Sequence, residues 1–380
     1  MPLDRRDLFF SAMKITILSH KLYSNAAMRA HRLAKAASLF AEVTMIGLAK
    51  AQGIWPALPR EPWLKTVPEK DFPKFYDSLV ELVEAADGDV LIAVKPYLAS
   101  FGAGLLAAER RRVPLILDID DLDVALAPLA VEARKPARTD LDRPDSEIYL
   151  SLLTRAAPAA SAITVASTAL QKRFGGTLVP HGSLTDLFEP DAIDREAARR
   201  LYKFSGPTVL FPGTPRKHKG IRPLAEAVAK VAGARLAVLC RPEDMARPEW
   251  ERCEVQKIPL VPYTSLPTLL AAADVVAIPQ LDKAPSRYQM PMKVYDCMAM
   301  GKPIVASAIS DLPATLDGCA CLVPPGDVER LAAAIADLLQ NPAKGRALGE
   351  KARARCLERF SMPRIAEILK EAVARVLGRK

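Results

Sequence analysis

The feature that most constrains the fold is an alternation of short apolar runs with longer amphipathic segments, which occurs twice along the chain. In the first half, KITILS (14–19) leads into a helical pattern over 24–40, and DVLIAV (89–94) and PLILDI (114–119) follow. Runs that are apolar at every position are typical of parallel strands covered by helices on both faces. The pattern restarts with PTVLFPG (207–213). It predicts an α/β protein with two doubly wound domains in tandem.

The same pattern predicts domain boundaries in this chain of 380 residues, a length that accommodates two ordinary domains. Residues 1–12 precede a second methionine, and we interpret them as an N-terminal extension. Residues 13–190 are predicted to form the first Rossmann-like domain and residues 191–362 the second. Residues 363–380 carry apolar side chains at helical spacing, which predicts a C-terminal helix packed back on the first domain.

Composition excludes several kinds of protein. Half of the residues are hydrophobic, enough for two buried cores. The longest apolar stretches fall short of the ~20 residues that a membrane span needs. The N-terminus also lacks the apolar run of a secretory signal, so the sequence predicts a cytoplasmic protein. The six cysteines form no CxxC pair, and we interpret them as reduced core residues rather than zinc ligands.

The net charge of +9 lies entirely in residues 191–380, because the first 190 residues carry equal numbers of basic and acidic side chains. A basic half suits an anionic ligand. The alternative is that the basic residues between Lys344 and Arg359 lie on the solvated surface of the last helices. No nucleic-acid partner is predicted.

The strongest motif is PMKVYDCMAMGKPIVAS (291–307), in which a helical stretch is stopped by Gly301 before a buried strand. Lys293 and Asp296 are three residues apart and therefore share a helix face. A carboxylate in this setting can accept hydrogen bonds from ribose hydroxyls, as acidic residues do in other doubly wound folds. The alternative is a solvated helix charge.

A second motif is FPGTPRKHKGI (211–221), where Gly213 ends a strand and a basic turn enters a helix near Gly220. A helix N-terminus offers N–H groups and partial positive charge to a phosphate. Arg216 and Lys219 add formal charge. A basic surface loop is the alternative interpretation.

Both motifs resemble the donor site of the retaining glycosyltransferases of family 4, the glycosyl transferases group 1, which have the GT-B fold. That family carries P-x-K-(L/V)-(F/Y)-(E/D)-x-M-A-x-G-K-P and G-R-x-x-x-x-K-G. The resemblance spans roughly residues 13–378 and implies an active site in the cleft between two Rossmann-like domains. It implies that Asp296 binds the ribose and that Gly213 and Lys219 hold the diphosphate of a nucleotide-sugar donor.

Two positions depart from the family pattern. Thr214 stands where the family usually has arginine, and Arg216 is expected to substitute for it. Tyr288 stands where an acid often contacts the donor sugar, which leaves Ser286, Arg287 and Gln289 as candidates for that role. The donor-binding residues that the resemblance implies are Gly213, Thr214, Arg216, Lys219, Tyr288, Gln289, Met290, Pro291, Lys293, Val294 and Asp296.

The first half carries weaker signals. LVPHGSLTDLFEP (178–190) resembles the family's linker, so His181 and Gly182 are candidate cleft residues. His20 follows the first strand, where ligands bind in doubly wound sheets. A structural role is the alternative for both histidines.

Residues 118–123, DIDDLD, carry four aspartates. Alone, they suggest oxygen ligands of a divalent cation. The resemblance instead implies catalysis without a metal or other cofactor, because GT-B enzymes usually bind none. It places Asp120 or Asp121 where the family often has a histidine, and we predict both as catalytic together with Lys219 and Arg216.

The predicted reaction is transfer of a sugar, with retention, from a nucleotide-diphosphate sugar to a glycan, a lipid-linked glycan or a similar acceptor. A nucleotide-sugar epimerase of the same fold and a non-catalytic nucleotide-sugar-binding protein are the alternatives.

Two long insertions, 53–75 and 124–146, are predicted as functional loops. Trp55, Trp63, Lys65 and Lys70 in the first, together with the basic amphipathic end of the chain, predict peripheral contact with the anionic inner face of the cytoplasmic membrane.

Overall fold

The computed structural model describes residues 10, 12–124 and 140–378. The chain divides into two compact units, a first unit of Met1–His181 with Met362–Lys380 and a second unit of Gly182–Ser361. The sequence pattern places the first boundary at 190–191. The extension expected at residues 1–12 lies almost wholly outside the described residues.

The first unit is built on a parallel seven-stranded sheet with the order β3-β2-β1-β4-β5-β6-β7. Its central strands are buried along nearly their whole length, which explains why most of their residues are apolar. The strands are β1 Lys14–Ser19, β2 Glu42–Ala49, β3 Leu64–Pro68, β4 Val90–Val94, β5 Leu115–Ile119, β6 Ala162–Val165 and β7 Thr177–Leu178. The helices between them are α1 Ala27–Ala37, α2 Phe75–Ala85, α3 Ala103–Arg111, α4 Glu147–Arg155 and α5 Thr168–Phe174.

The second unit repeats this architecture with six parallel strands in the order β10-β9-β8-β11-β12-β13. The strands are β8 Thr208–Phe211, β9 Arg235–Cys240, β10 Val255–Pro259, β11 Val275–Ile278, β12 Ile304–Ser307 and β13 Cys321–Val323. The helices are α6 Arg195–Leu201, α7 Ile221–Ala229, α8 Leu266–Ala272, α9 Ala284–Tyr288, α10 Lys293–Ala299, α11 Leu312–Leu316, α12 Val328–Gln340 and α13 Pro342–Phe360. One apolar cluster joins α7 and α12 to the central strands.

The last helix, α14 (Met362–Val376), returns to the first unit and packs against α1. Ile365, Leu369 and Val373 are buried along it. Their spacing of four residues places them on one helix face, and burial of that face holds the end of the chain in the first unit.

The insertion at 53–75 is not one continuous loop. It contains β3, which pairs with β2 from Met45 opposite Leu64 to Ala49 opposite Pro68. Most of β3 is exposed, as expected for a strand at the edge of a sheet. The insertion at 124–146 lies largely outside the described residues.

In the part of the chain that the structure describes, no helix is long and apolar enough to cross a bilayer.

Both sheets have a switch point, where the chain leaves a central strand on one side and returns on the other. This point lies between β1 and β4 in the first unit and between β8 and β11 in the second. Ligands of doubly wound sheets bind in the crevice that such a reversal leaves at the carboxyl ends of the strands. The residues that follow these four strands are therefore the candidates for a functional site.

Candidate functional site

The turn after β8 lies against the end of β11 at the switch point of the second unit. Lys217–Lys219 form one 3₁₀ turn, and α7 begins directly after Gly220. Gly220 has φ +73°, and a Cβ at this position would lie 1.7 Å from the carbonyl oxygen of Pro279. Only glycine combines this conformation with so close a backbone approach. The turn is therefore fixed against the neighbouring strand.

Two of the predicted diphosphate residues are adjacent in this turn. The ammonium of Lys219 lies 4.0 Å from the position that a Cβ on Gly213 would occupy. Arg216 is exposed and Thr214 is half-buried. Arg247 holds the turn from one side, because its Nη1 donates to the carbonyl of Pro215 (3.2 Å). Basic side chains and the N-terminus of α7 thus meet in one place, which favours a bound anion.

Asp296 is fully buried on α10, which excludes the alternative that it is a solvated helix charge. Its Oδ1 accepts hydrogen bonds from the Ser183 hydroxyl (3.0 Å) and the Tyr263 hydroxyl (3.1 Å). The sequence motifs did not identify either hydroxyl residue. Around Asp296, Val294 and Met290 are buried, whereas Lys293, Pro291, Gln289 and Tyr288 are half-buried. The assignment of Asp296 to a ribose remains a prediction.

The Gly-Lys-Pro part of the strongest motif has a structural role. Lys302 is buried, and its Nζ donates to the carbonyls of Ala273 (2.6 Å) and Ala271 (3.3 Å) at the end of α8. Burial lowers the pKa of Lys302 to about 8. Gly301 has φ +58° and lies against Gly349, where a Cβ would be 1.9 Å from the Gly301 carbonyl oxygen. Lys302 thus joins the end of α10 to α8, and the contact between Gly301 and Gly349 joins it to α13.

Gln280 follows β11 and was not identified from the sequence motifs. It is 2% exposed, and neither its Nε2 nor its Oε1 has a hydrogen-bond partner among the described residues. The residues on both sides of it contact the turn, Pro279 through Gly220 and Leu281 through an N–H bond to the His218 carbonyl (3.0 Å). Its position after an apolar strand was the available signal.

At the switch point of the first unit, His20 follows β1 and Lys95 follows β4. The His20 ring stacks on Tyr97 with centroids 4.1 Å apart and planes 9° apart. Burial lowers the pKa of His20 well below its usual value, with Lys21 and Lys95 adding to the effect, so the ring is neutral at pH 7. Lys95 has φ +69°, an uncommon conformation for a residue with a side chain.

The four aspartates of residues 118–123 divide into two groups. Asp118 accepts two hydrogen bonds from the Arg29 guanidinium, at 2.8 and 2.7 Å, and one from Thr164. Asp120, Asp121 and Asp123 instead surround the Lys95 ammonium at 2.9, 2.9 and 3.0 Å. Asp118 lies inside β5, whereas the other three aspartates follow the end of the strand.

Burial raises the pKa of Asp120, with Lys95 opposing and the neighbouring carboxylates adding to the rise. Burial also disfavours the charge on Lys95, but the three carboxylates raise its pKa well above the usual value. Within the described ranges, no group of three or more His, Cys, Asp or Glu side chains is arranged to hold a metal ion. The Lys95 ammonium supplies the positive charge among the carboxylates.

His181 and Gly182 lie at the boundary between the units, His181 in the first and Gly182 in the second. The His181 ring is buried, with Nδ1 3.5 Å from Nη1 of Arg29. Burial lowers the pKa of His181 well below its usual value, and Arg29 adds to the effect. Gly182 has φ +66°, which a side chain would disfavour.

The structure thus places some of the predicted residues at the switch point of each unit. Gly213, Lys219 and Gly220 meet at the second switch point, and His20, Asp120 and Asp121 lie at the carboxyl ends of β1 and β5. The sequence motifs did not identify three further members of these groups, Arg29 and Lys95 in the first unit and Gln280 in the second. Arg29 carries no pattern that distinguishes it from a surface arginine, because its role depends on Asp118, which is 89 residues away.

Comparison with known proteins identifies a family match in the second unit. Residues 206–341 match the family described as Glycosyl transferases group 1. Both motifs on which the predicted resemblance rests lie inside this segment, as does Gln280.

Curated relatives match over part of their length. An MMP alpha-(1->4)-mannosyltransferase of Mycolicibacterium hassiacum is 32% identical over 215 residues, which are 52% of this chain and 49% of that protein. A D-inositol 3-phosphate glycosyltransferase of Mycobacterium bovis is 29% identical over 302 residues, 77% of this chain and 54% of that protein. The chain spans about half the length of these relatives.

Solved structures match over nearly the whole chain. Sucrose-phosphate synthase of Thermosynechococcus elongatus is similar with a TM-score of 0.71 at 20% identity, covering 96% of this chain and 99% of that one. HepE of Anabaena, solved in complex with UDP and glucose, has a TM-score of 0.71 at 18% identity and coverages of 96% and 100%. These likenesses confirm the predicted GT-B fold of two Rossmann-like units.

Proposed function

We propose that this protein, which carries a glycosyl transferases group 1 domain in residues 206–341, transfers a sugar from a nucleotide-diphosphate donor to the hydroxyl group of an acceptor. The family predicted from the two motifs is confirmed for this segment. The observation that carries the proposal is the turn at the second switch point, where Gly213, Lys219 and the start of α7 meet. This is the arrangement that binds a diphosphate.

The proposed donor is a nucleoside-diphosphate sugar. Three features support an anionic ligand in the second unit, namely Lys219, the N-terminus of α7 and the net charge of residues 191–380. HepE was solved with UDP-glucose as well as with UDP and glucose, which makes uridine nucleotides the first to test. The relatives are named for mannosyl transfer and for an inositol phosphate acceptor, so we propose a hydroxyl of a glycan, lipid-linked glycan or similar molecule as acceptor.

In the proposed reaction, the bond from the anomeric carbon to the diphosphate oxygen breaks and its electron pair stays on the leaving phosphate. The sugar carbon passes through an oxocarbenium-like state. Lys219 and the N–H groups of α7 stabilise the charge that develops on the phosphate. The acceptor oxygen bonds to the same face of the sugar, which retains its configuration, and its proton leaves to the departing phosphate. We assign orientation of the acceptor to Asp120 and Asp121. No cofactor takes part in the proposed reaction.

The first experiment is a thermal-shift screen of UDP, GDP, UDP-glucose and GDP-mannose. A ligand present at 100 times its dissociation constant stabilises the folded protein by about 2.7 kcal/mol, which is readily detected. Conversion of the donor without an acceptor would favour the epimerase instead. Binding of donor without turnover, across a range of acceptors, would favour a non-catalytic protein.

Steady-state kinetics of two variants then test the roles within the donor site. Asp296→Ala is expected to raise KM mainly, because a ribose contact is equal in the ground and transition states. Lys219→Ala is expected to lower kcat more than donor affinity, because its interaction strengthens as the diphosphate gains charge. Lys230→Ala, which removes an exposed ion pair with Glu329, is the matched control. If both site variants bind and turn over like the control, the donor site is elsewhere.

We also propose a cytoplasmic protein that contacts the anionic membrane surface without spanning it. Half-buried Trp55 and Trp63 and exposed Lys65 support this proposal. The apolar face of α14 does not contribute, because it is buried against α1. Flotation with anionic vesicles at low salt tests the proposal, and Trp55→Ser with Lys65→Ser is expected to reduce co-migration. Equal flotation with neutral vesicles, or none at all, would contradict it.

A further inference from the structure

We infer that Gln280 recognises a hydroxyl group of the donor sugar and thereby takes the role of the acid that is absent at Tyr288. This inference rests on the proposed function and extends it to a residue that the motifs do not contain. Gln280 lies two residues beyond β11, one of the two strands that border the second switch point. A residue at this point lies just beyond the carboxyl end of the strand, where ligands of such sheets bind.

The main observation is an amide whose hydrogen bonds are not made within the fold. Gln280 is 2% exposed, yet both Nε2 and Oε1 lack a partner among the described residues. An amide buried without hydrogen bonds opposes folding, whereas an apolar side chain of similar size would favour it. Stability of the protein alone therefore does not account for glutamine at this position.

The neighbours of Gln280 fix its backbone beside the diphosphate turn. The carbonyl of Pro279 lies under Gly220, so closely that a Cβ on Gly220 would be 1.7 Å away. On the other side, the Leu281 N–H donates to the His218 carbonyl (3.0 Å). The Ser286 hydroxyl of α9 donates to the same carbonyl (3.3 Å). The backbone of Gln280 is thus held next to the turn that we propose for the phosphates.

The chemistry of an amide identifies the ligand class. A carboxamide offers one acceptor and two donors side by side. A sugar hydroxyl both donates and accepts, so a hydroxyl or a pair of neighbouring hydroxyls satisfies both ends. A phosphate oxygen would use only the N–H groups and leave Oε1 unpaired. The sugar attached to the diphosphate is therefore the matching part of the donor.

Titration calorimetry of Gln280→Leu tests the inference with UDP, UDP-glucose and the monodeoxy analogues of UDP-glucose, or with the guanosine and mannose series if wild type prefers GDP. We expect the affinity for the nucleotide sugar to fall about tenfold and that for the nucleotide to change less than twofold. Wild type should bind one deoxy analogue about tenfold more weakly than its parent sugar nucleotide. The variant should not distinguish that pair, which is the signature of a direct contact in a double-mutant cycle.

Thermal unfolding without ligand provides an independent measurement. Gln280→Leu is expected to unfold at a higher temperature than wild type, because an apolar side chain replaces an unsatisfied amide. The matched control is Gln256→Leu on the edge strand β10, which loses a hydrogen bond to the Tyr202 carbonyl and should unfold at a lower temperature. If Gln280→Leu also lowers the unfolding temperature and weakens UDP and UDP-glucose equally, the amide is structural and the inference is wrong. If wild type binds no nucleotide and no nucleotide sugar, the proposed function fails and this inference with it.

Discussion

The switch points of the two units have the same topology but differ in how their charges are satisfied. In the first unit, Lys95 lies among three carboxylates, and Arg29 is paired with Asp118 nearby. In the second unit, the crevice is bordered by glycines, a basic turn and the amide of Gln280, which has no hydrogen-bond partner among the described residues. An ion pair within the fold is made without a ligand, whereas an amide without a partner contributes only when a ligand binds. The comparison therefore separates a crevice with internal ion pairs from one in which an unsatisfied amide lies beside a basic turn.

The largest expected effect comes from removing a buried cation of the first unit. Arg29→Met leaves the Asp118 carboxylate buried without its partner, and we expect the free energy of unfolding to fall by about 3–5 kcal/mol. Hydrogen–deuterium exchange, which reports the two units separately, should place the loss in the first unit. Arg222→Met, which breaks an exposed pair with Glu226, should cost at most about 1 kcal/mol. Equal effects of the two substitutions would contradict this account of the first unit.

The second-largest effect is expected from acidification, which should lower the unfolding free energy of the first unit. Burial lowers the pKa of His31 to about 4, although Glu61 opposes the shift. Between pH 6.5 and 4 the unfolded chain binds a proton at this residue that the folded chain does not, so the unfolding free energy falls as the pH falls. The loss for His31 alone is about 3 kcal/mol by pH 4, and His20 and His181 act in the same direction.

Urea unfolding at pH 7, 5.5 and 4.5 measures this dependence, with His31→Leu as the comparison. The variant should show a smaller loss of stability over this range, because one of the titrating groups is gone. The second unit contains a single histidine, His218, and should lose less. If the unfolding free energy of His31→Leu falls with pH as steeply as that of wild type, His31 is not the group that titrates.

A smaller effect on stability, with a large effect on binding, is expected from the turn of the second unit. Gly220→Ala and Gly233→Ala both place alanine at a φ near +70°, but only Gly220 has a backbone carbonyl in the way. Gly233→Ala should cost about 1–2 kcal/mol and leave nucleotide affinity unchanged. Gly220→Ala must shift the turn, so its nucleotide affinity should fall at least tenfold in the same calorimetric assay. Unchanged affinity in Gly220→Ala would remove the turn from the donor site.

The smallest expected effect is that of removing divalent cations. Lys95 already supplies positive charge to Asp120, Asp121 and Asp123, so we expect EDTA to leave the rate of sugar transfer unchanged. The assay compares EDTA with added Mg²⁺ or Mn²⁺ at fixed donor and acceptor. A complete loss that either metal reverses would show that the carboxylates hold a cation during turnover.

The fold was predictable to the level of its two doubly wound units, because parallel strands buried on both faces are apolar along most of their length. The turn that enters α7 was predictable because Gly220 stands where the backbone permits little other than glycine. The strand inside residues 53–75 was not predictable, because β3 lies at the edge of the sheet and most of it is exposed. Edge strands carry a weaker apolar signal.

The sequence by itself determined the two alternating strand-and-helix patterns, the family match of residues 206–341 and the placement of polar residues after strands β1, β5 and β8. Only the tertiary structure decided which charges meet. Asp118 and Asp120 look alike in DIDDLD, yet one pairs with Arg29 and the other with Lys95, at separations of 89 and 25 residues along the chain. Gln280 looks like any glutamine until the fold buries it without a partner. Ion pairs and unmet hydrogen bonds are properties of three-dimensional proximity, and local patterns along a chain do not encode them.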